Sequence, residues 1–172
     1  MILPIKTLDE LMDPAAEARH ARRRAVRQSA LLRQVWRLFL NHGAPIPIAM
    51  LHREATGLDP AAVQEDLARL DAEDLILLQD GLVRLAYPFS GDPTPFTIVL
   101  PDGRARFVCC AVDALGIAPM LGQLIEIRSH CHHCGRPIGF PVGSEGPGPG
   151  AEGLMVWIGG RDPDERRACT GH

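Results

Sequence analysis

Cys110 and Asp113 are the two residues whose types and spacing best suit chemistry in this sequence. Cys110 follows a predicted strand and stands at the predicted start of a helix, where unsatisfied N–H groups and the helix dipole favour the thiolate. Asp113 lies three residues further on, so both side chains share one helix face. A neighbouring thiolate and carboxylate disfavour each other's charge, so we expect the pair to hold one proton between them. Such a pair could accept a proton and return it, but a buried cysteine and a capping acid would show the same spacing without a catalytic role.

The remaining cysteines are Cys109, Cys131, Cys134 and Cys169, which makes five in total. An odd number of cysteines in a reducing compartment indicates metal binding or catalysis rather than a disulfide framework. The C-x-x-C motif from Cys131 to Cys134 resembles a zinc knuckle. A structural zinc ion binds four ligands, usually from two such knuckles, and this motif supplies only one knuckle. We therefore keep zinc at Cys131 and Cys134 as one hypothesis beside a purely structural role.

Composition and charge exclude several classes of protein. The chain has 172 residues, of which 46% are hydrophobic and 23% charged, as in ordinary globular proteins. Its net charge of −3 offers no basic field for nucleic acid or anionic lipid. No apolar run approaches the ~20 residues needed to span a bilayer, and the first residues do not resemble an export signal. We expect a cytoplasmic protein with no membrane partner.

Residues 1–90 are predicted to form a helical module. Helical spacing of apolar residues predicts a first helix over 14–41 and a short second helix over 48–55. A third helix is predicted to begin at Pro60, with Asp59 as its cap.

A β-hairpin follows these helices, and three helices followed by a hairpin is the winged-helix arrangement. Its strands are predicted over 75–78 and 82–85, on either side of a turn. Winged helices often bind DNA, but the third helix is rich in acidic residues and would repel phosphates. A structural role for this module is therefore favoured, and a nucleic acid partner is not expected.

Residues 91–172 are predicted to form an α+β domain built on a small mixed sheet that holds the thiol site. A helix is predicted over 110–117, and the glycine- and proline-rich stretch 143–153 is predicted to be an irregular loop. The predicted strands are 96–100, 104–108, 124–128, 138–142 and 154–158. The whole chain is thus assigned to the α+β class.

The segment CAVDALGIAPMLG, from Cys110 to Gly122, resembles the organomercurial (alkylmercury) lyase family. Members of that family carry a Cys-Ala-x-Asp-x-Leu segment followed by proline and glycine. The resemblance covers roughly 31–169, and its further matches are 87–90, 129–131, Pro137, 156–158 and 166–169.

The resemblance implies an enzyme that cleaves the carbon–mercury bond of an organomercurial substrate by protonolysis. By this resemblance, Cys110 and Cys169 hold mercury and Asp113 relays the proton. The products are a hydrocarbon and a mercuric ion that stays bound to the thiols. Thiolates are the soft ligands that a soft metal prefers. No organic cofactor is implied, and low-molecular-weight thiols or a mercuric reductase would accept the ion.

Two other functions stay open at this stage. One is a non-catalytic thiol protein of the same fold that binds mercury, zinc or copper ions, and the other is a metal-responsive winged-helix regulator. Family members usually continue beyond the second cysteine with an aromatic-rich strand and a helix, so we expect a shortened C-terminal tail here. The lyase hypothesis also requires Cys169 to lie beside Cys110 and Asp113.

Overall fold

The computed structural model of this protein describes residues 29–54 and 59–156, together with Ile5, Thr7, Glu10, Ala18, Ala21 and Arg23. The helices in these ranges are α1 (Ala30–His42), α2 (Ile48–Glu54), α3 (Pro60–Ala72) and α4 (Ala111–Leu121). The strands are β1 (Ile46–Pro47), β2 (Ile76–Gln79), β3 (Leu82–Ala86), β4 (Phe89–Ser90), β5 (Thr97–Val99), β6 (Ala105–Val108), β7 (Ile125–His130), β8 (Pro137–Gly143) and β9 (Gly146–Pro147). None of the described helices is long and apolar enough to cross a membrane.

The helices α1 and α3 begin at residues that cap their first N–H groups. The hydroxyl of Ser29 accepts a hydrogen bond from the N–H of Leu32 at the start of α1. The carboxylate of Asp59 caps α3, whose first residue is Pro60, as the sequence predicts. Most of the predicted first helix before residue 29 lies outside the described residues.

The described strands form one antiparallel sheet in the order β1-β3-β4-β6-β5-β7-β8-β9, with β2 also paired to β3. Strand β4 pairs with β3 and with β6, and so joins the N-terminal hairpin to the later strands. The α+β class is confirmed. Every strand pair in the described residues is antiparallel, so the mixed sheet predicted for residues 91–172 is not seen in that part of the chain. Short connections between successive strands favour antiparallel pairing, and the sequence gives no signal for the two-residue strand β4. The winged-helix assignment and the division near residue 90 stay predictions.

The elements after residue 108 differ from the prediction in three places. Helix α4 runs to Leu121 rather than ending at Ile117, with Cys110 as its cap. The glycine-rich loop contains β9, which pairs with β8 through a tight turn at Ser144 and Glu145; the next residue, Gly146, has a φ of +115°. Leu154–Val156 does not form the predicted strand, since the N–H of Leu154 closes a turn onto the carbonyl of Ala151. The rest of that predicted strand lies outside the described residues.

The buried Arg106 joins β6 to the end of α1. Its guanidinium donates to the carbonyl of Leu40 at 2.8 Å and to that of Asn41 at 2.9 Å, and the residue is only 9% exposed. Carbonyls in the last turn of a helix have no helical N–H as partner, so an outside donor must satisfy them. Burial lowers the pKa of Arg106, and the neighbouring Arg104 lowers it further, yet a guanidinium stays protonated at neutral pH. Arg106 therefore caps α1 from the sheet.

Replacing Arg106 by methionine is expected to lower the free energy of unfolding by about 1–3 kcal/mol, the usual cost of leaving buried polar groups without partners. Urea unfolding followed by circular dichroism measures this loss. Arg104→Met is the matched control, because Arg104 also donates to the carbonyl of Leu40 but is exposed and paired with Asp102. Equal losses in the two variants would contradict the role given to Arg106.

Candidate functional site

Hydrogen bonds to the carbonyls of Pro88 and Phe89 fix the backbone that leads from β6 to Cys110. The N–H of Cys109 donates to the carbonyl of Pro88 at 3.0 Å, and its thiol donates to the carbonyl of Phe89 at 3.4 Å. Cys109 is 1% exposed and points into the core, whereas Cys110 is half-buried. The two adjacent thiols therefore occupy different environments, and only Cys110 stands at the head of α4.

Helix α1 and the loop before β5 contribute two further supports that the sequence analysis did not identify. The indole N–H of Trp36 donates to the carbonyl of Tyr87 at 2.8 Å, next to the cis Tyr87–Pro88 peptide. The hydroxyl of Thr94 donates to the carbonyl of Val108 at 2.7 Å. No sequence signal could have revealed these supports, since their partners lie 51 and 14 residues apart.

Cys110 and Asp113 are in direct contact. The thiol of Cys110 donates to Oδ2 of Asp113 at 2.9 Å, and the same sulfur accepts the backbone N–H of Asp113 at 3.3 Å. Both side chains are half-buried, so a small molecule can approach them. This geometry allows the thiol proton to move to the carboxylate, and the backbone N–H would stabilise the sulfur as a thiolate once that proton has moved. The pair can thus give up and return a proton while the sulfur binds a soft metal.

The second predicted thiol, Cys169, lies outside the described residues, and its position relative to Cys110 stays a prediction. Within the described part of the chain, no three histidine, cysteine or acidic side chains are placed to hold a metal ion together. Of the three predicted catalytic residues, Cys110 and Asp113 are placed side by side in the described part of the chain.

The turn between β7 and β8 holds Cys131 and Cys134 together. The N–H of Gly135 donates to the carbonyl of Cys131, and the N–H of Cys131 donates to the carbonyl of Arg136, both at 2.8 Å. Gly135 has a φ of +68°, which closes the turn. Hydrogen bonds from the N–H groups of Cys134 and His133 and from the thiol of Cys134 lower the pKa of Cys131, and Arg136 lowers it further. This turn presents two sulfurs to solvent, and Cys134 is exposed.

Alkylation of Cys131 by iodoacetamide is expected to show a pH midpoint below the value of about 8.5 that is usual for a thiol. The thiolate is the reacting form, so a lowered pKa keeps the rate high at lower pH. Peptide mapping by mass spectrometry across a pH series measures the rate at this residue. Cys134→Ala removes one donor and should move the midpoint upward. A wild-type midpoint at or above the usual value would contradict the contacts described for this turn.

A cleft of about 630 Å³ opens elsewhere, between the end of α1, the β5–β6 turn and the end of α4. Its polar lining includes Arg37, Arg104 and Gln123, while neither Cys110 nor Asp113 lines it. No site predicted from the sequence falls in this cleft.

Three comparisons with known proteins agree with one another. Residues 89–171 match the family model of alkylmercury lyase. An alkylmercury lyase of Staphylococcus epidermidis (strain ATCC 12228 / FDA PCI 1200) is 29% identical over 103 residues, which cover 60% of this chain and 45% of that protein. The crystal structure of the mercury-bound form of MerB2 aligns with a TM-score of 0.53 and 26% identity, over 64% of this chain and 53% of that chain. The chain thus spans about half the length of these relatives.

Proposed function

Residues 89–171 match the family model of alkylmercury lyase, and on that premise we propose that the protein is a member of this family and cleaves carbon–mercury bonds by protonolysis. The observation that carries the proposal is the hydrogen bond of 2.9 Å from the Cys110 thiol to Oδ2 of Asp113. It puts a soft metal ligand and a proton carrier in contact at the head of α4.

In the first step, the sulfur of Cys110 displaces the exchangeable ligand of an organomercurial R–Hg–X and forms an S–Hg bond. The thiol proton passes to Asp113, which already accepts it in a hydrogen bond. The backbone N–H of Asp113 remains on the sulfur and stabilises its negative charge during the transfer. The ligand X leaves as an anion, and the organic group is still bound to mercury.

In the second step, Cys169 supplies the second thiolate, a role carried over from the family resemblance. Two thiolates donate electron density to mercury and weaken its bond to carbon. The electron pair of that bond goes to carbon, which takes the proton from Asp113 and leaves as the hydrocarbon R–H. The thiol proton of Cys110 leaves on the hydrocarbon, and that of Cys169 goes to solvent, where it balances the anion X, so mercury stays divalent throughout.

Neither step requires an organic cofactor. The mercuric ion remains on the two thiols, and a low-molecular-weight thiol or a mercuric reductase would remove it by ligand exchange. We place this chemistry in the cytoplasm, where such thiols are kept reduced. The N-terminal helices, as a winged-helix-like module, would support the site structurally through the contact from Trp36 to Tyr87.

The release of benzene from phenylmercury in excess glutathione tests the proposal. Headspace gas chromatography should detect one benzene for each phenylmercury consumed, and inductively coupled plasma mass spectrometry should find the mercury as the inorganic ion. Benzene release no faster than in glutathione alone would refute the lyase activity.

A thiol protein that binds mercury without cleaving the substrate is the second candidate. The additional thiol pair at Cys131 and Cys134 favours it, because that pair could hold a metal ion without Asp113. The same assay separates the two candidates, since a binding protein would retain phenylmercury intact and release no benzene.

A further inference from the structure

We propose that Cys131 and Cys134 form a second binding site for the mercuric ion, which the two sulfurs hold in two-coordinate geometry. The inference rests on the proposed function in one point, because cleavage of the organomercurial would produce the mercuric ion that this site binds. The binding chemistry of the turn can be tested without it.

The turn holds Cys131 and Cys134 on one closed loop of backbone before any metal arrives. The sulfur of Cys131 accepts a hydrogen bond from the thiol of Cys134 and further hydrogen bonds from the N–H groups of Cys134 and His133. The backbone bonds through Gly135 and Arg136 close the turn around them. When a mercuric ion binds, both thiols lose their protons to solvent and two S–Hg bonds form, with no change of oxidation state. The N–H groups that already point at sulfur then stabilise the thiolate ligand.

The number of available ligands favours a two-coordinate ion over zinc. A structural zinc site requires four ligands, whereas the described residues contain no group of three or more cysteine, histidine or acidic side chains placed to share an ion. The histidines of this turn, His132 and His133, are exposed. Mercuric ion is stable with two thiolates alone, and thiolates are the ligands that a soft ion selects. The positive charge of Arg136 favours the thiolate of Cys131 further.

The register of the sheet places the Cys131–Cys134 turn and Cys110 toward the same end of the sheet. Thr97 of β5 is paired with Phe107 of β6 on one side and with Arg128 of β7 on the other. Phe107 and Arg128 are therefore two strand spacings apart, or about 10 Å. Strands β6 and β7 run in the same direction, because each is antiparallel to β5. Cys110 and Cys131 each lie three residues beyond these partners, so both thiol sites lie toward the same end of the sheet.

Competition with glutathione tests the second site in the full-length chain. Cys110→Ala removes the first site, and we expect this variant to retain one mercuric ion in native mass spectrometry. Two thiols in one turn act at a high effective concentration toward each other, so removal of the ion should require at least about tenfold more glutathione than from C110A/C134S. The matched control C110A/C109S keeps the turn and should behave as C110A does. Equal sensitivity of C110A and C110A/C134S would overturn the inference.

Two further outcomes keep this inference separate from the proposed function. If C110A retains mercury against glutathione while wild-type protein releases no benzene, the second site stands and the lyase proposal fails. If wild-type protein releases benzene while C110A loses mercury as easily as C110A/C134S, only the second site fails. Cobalt(II) added to C110A should give no tetrahedral absorption bands, and their appearance would overturn the two-coordinate geometry.

Discussion

Replacing Asp113 by asparagine is expected to slow benzene release from phenylmercury by about 10²–10⁴-fold, the usual contribution of a positioned acid or base. The asparagine carbonyl has the size and position to keep the hydrogen bond that Oδ2 of Asp113 now accepts from Cys110. An amide cannot carry the proton from sulfur to carbon, so the variant should bind mercury and lose turnover. Single-turnover benzene release and native mass spectrometry measure the two properties separately.

Asp66→Asn is the matched control for this variant. Asp66 is a carboxylate on α3, and its ion pair with Arg69 is partly exposed, so benzene release should stay at the wild-type rate. Turnover by D113N at the wild-type rate would show that Asp113 does not relay the proton. Loss of one bound mercuric ion together with turnover would instead assign Asp113 to holding the metal.

Replacing Cys110 by serine is expected to remove both turnover and one bound mercuric ion. A serine hydroxyl is a hard ligand that does not ionise near neutral pH, so it cannot replace the thiolate on a soft metal. It can still cap α4 and donate to Asp113 as the thiol does, so the helix should keep its start. Benzene release should fall to the rate in glutathione alone, and native mass spectrometry should count one ion fewer.

Cys109→Ser is the matched control for Cys110→Ser, because it changes the adjacent thiol in the same way. The buried thiol of Cys109 donates to the carbonyl of Phe89, and a serine hydroxyl can make the same bond. We expect this variant to retain turnover and mercury binding. If C109S lost activity while C110S kept it, the two thiols would have to exchange their assigned roles.

The features that could be predicted from the sequence are those made by residues close together along the chain. The cap at Asp59 and the contact between Cys110 and Asp113 each join residues no more than three positions apart. Helix geometry alone decides such contacts, so residue type and spacing are sufficient evidence. Spacing also identified the thiol pair at Cys131 and Cys134, for which the zinc hypothesis stays a prediction.

The features that could not be predicted depend on distant parts of the chain. Arg106 looks like any other polar residue of a strand, yet its partner Leu40 lies 66 positions away. The strand predicted at Leu154–Val156 is absent for a related reason. A short apolar run does not show whether its backbone pairs with a neighbouring strand or closes a turn. The location of Cys169 likewise cannot be derived from spacing along the chain.

Strand β4, only two residues long, makes the stability of the thiol site depend on the N-terminal helices. Phe89 and Ser90 pair with β3 on one side and with β6 on the other, and the residue before them accepts the N–H of Cys109. Local unfolding of α1 would therefore weaken the hydrogen bonds of β4, and with them the bond that holds the backbone of Cys109 beside Cys110. In native-state hydrogen exchange, the amide of Cys109 should open in the same cooperative event as the amides of α1, rather than with the outer strands β8 and β9.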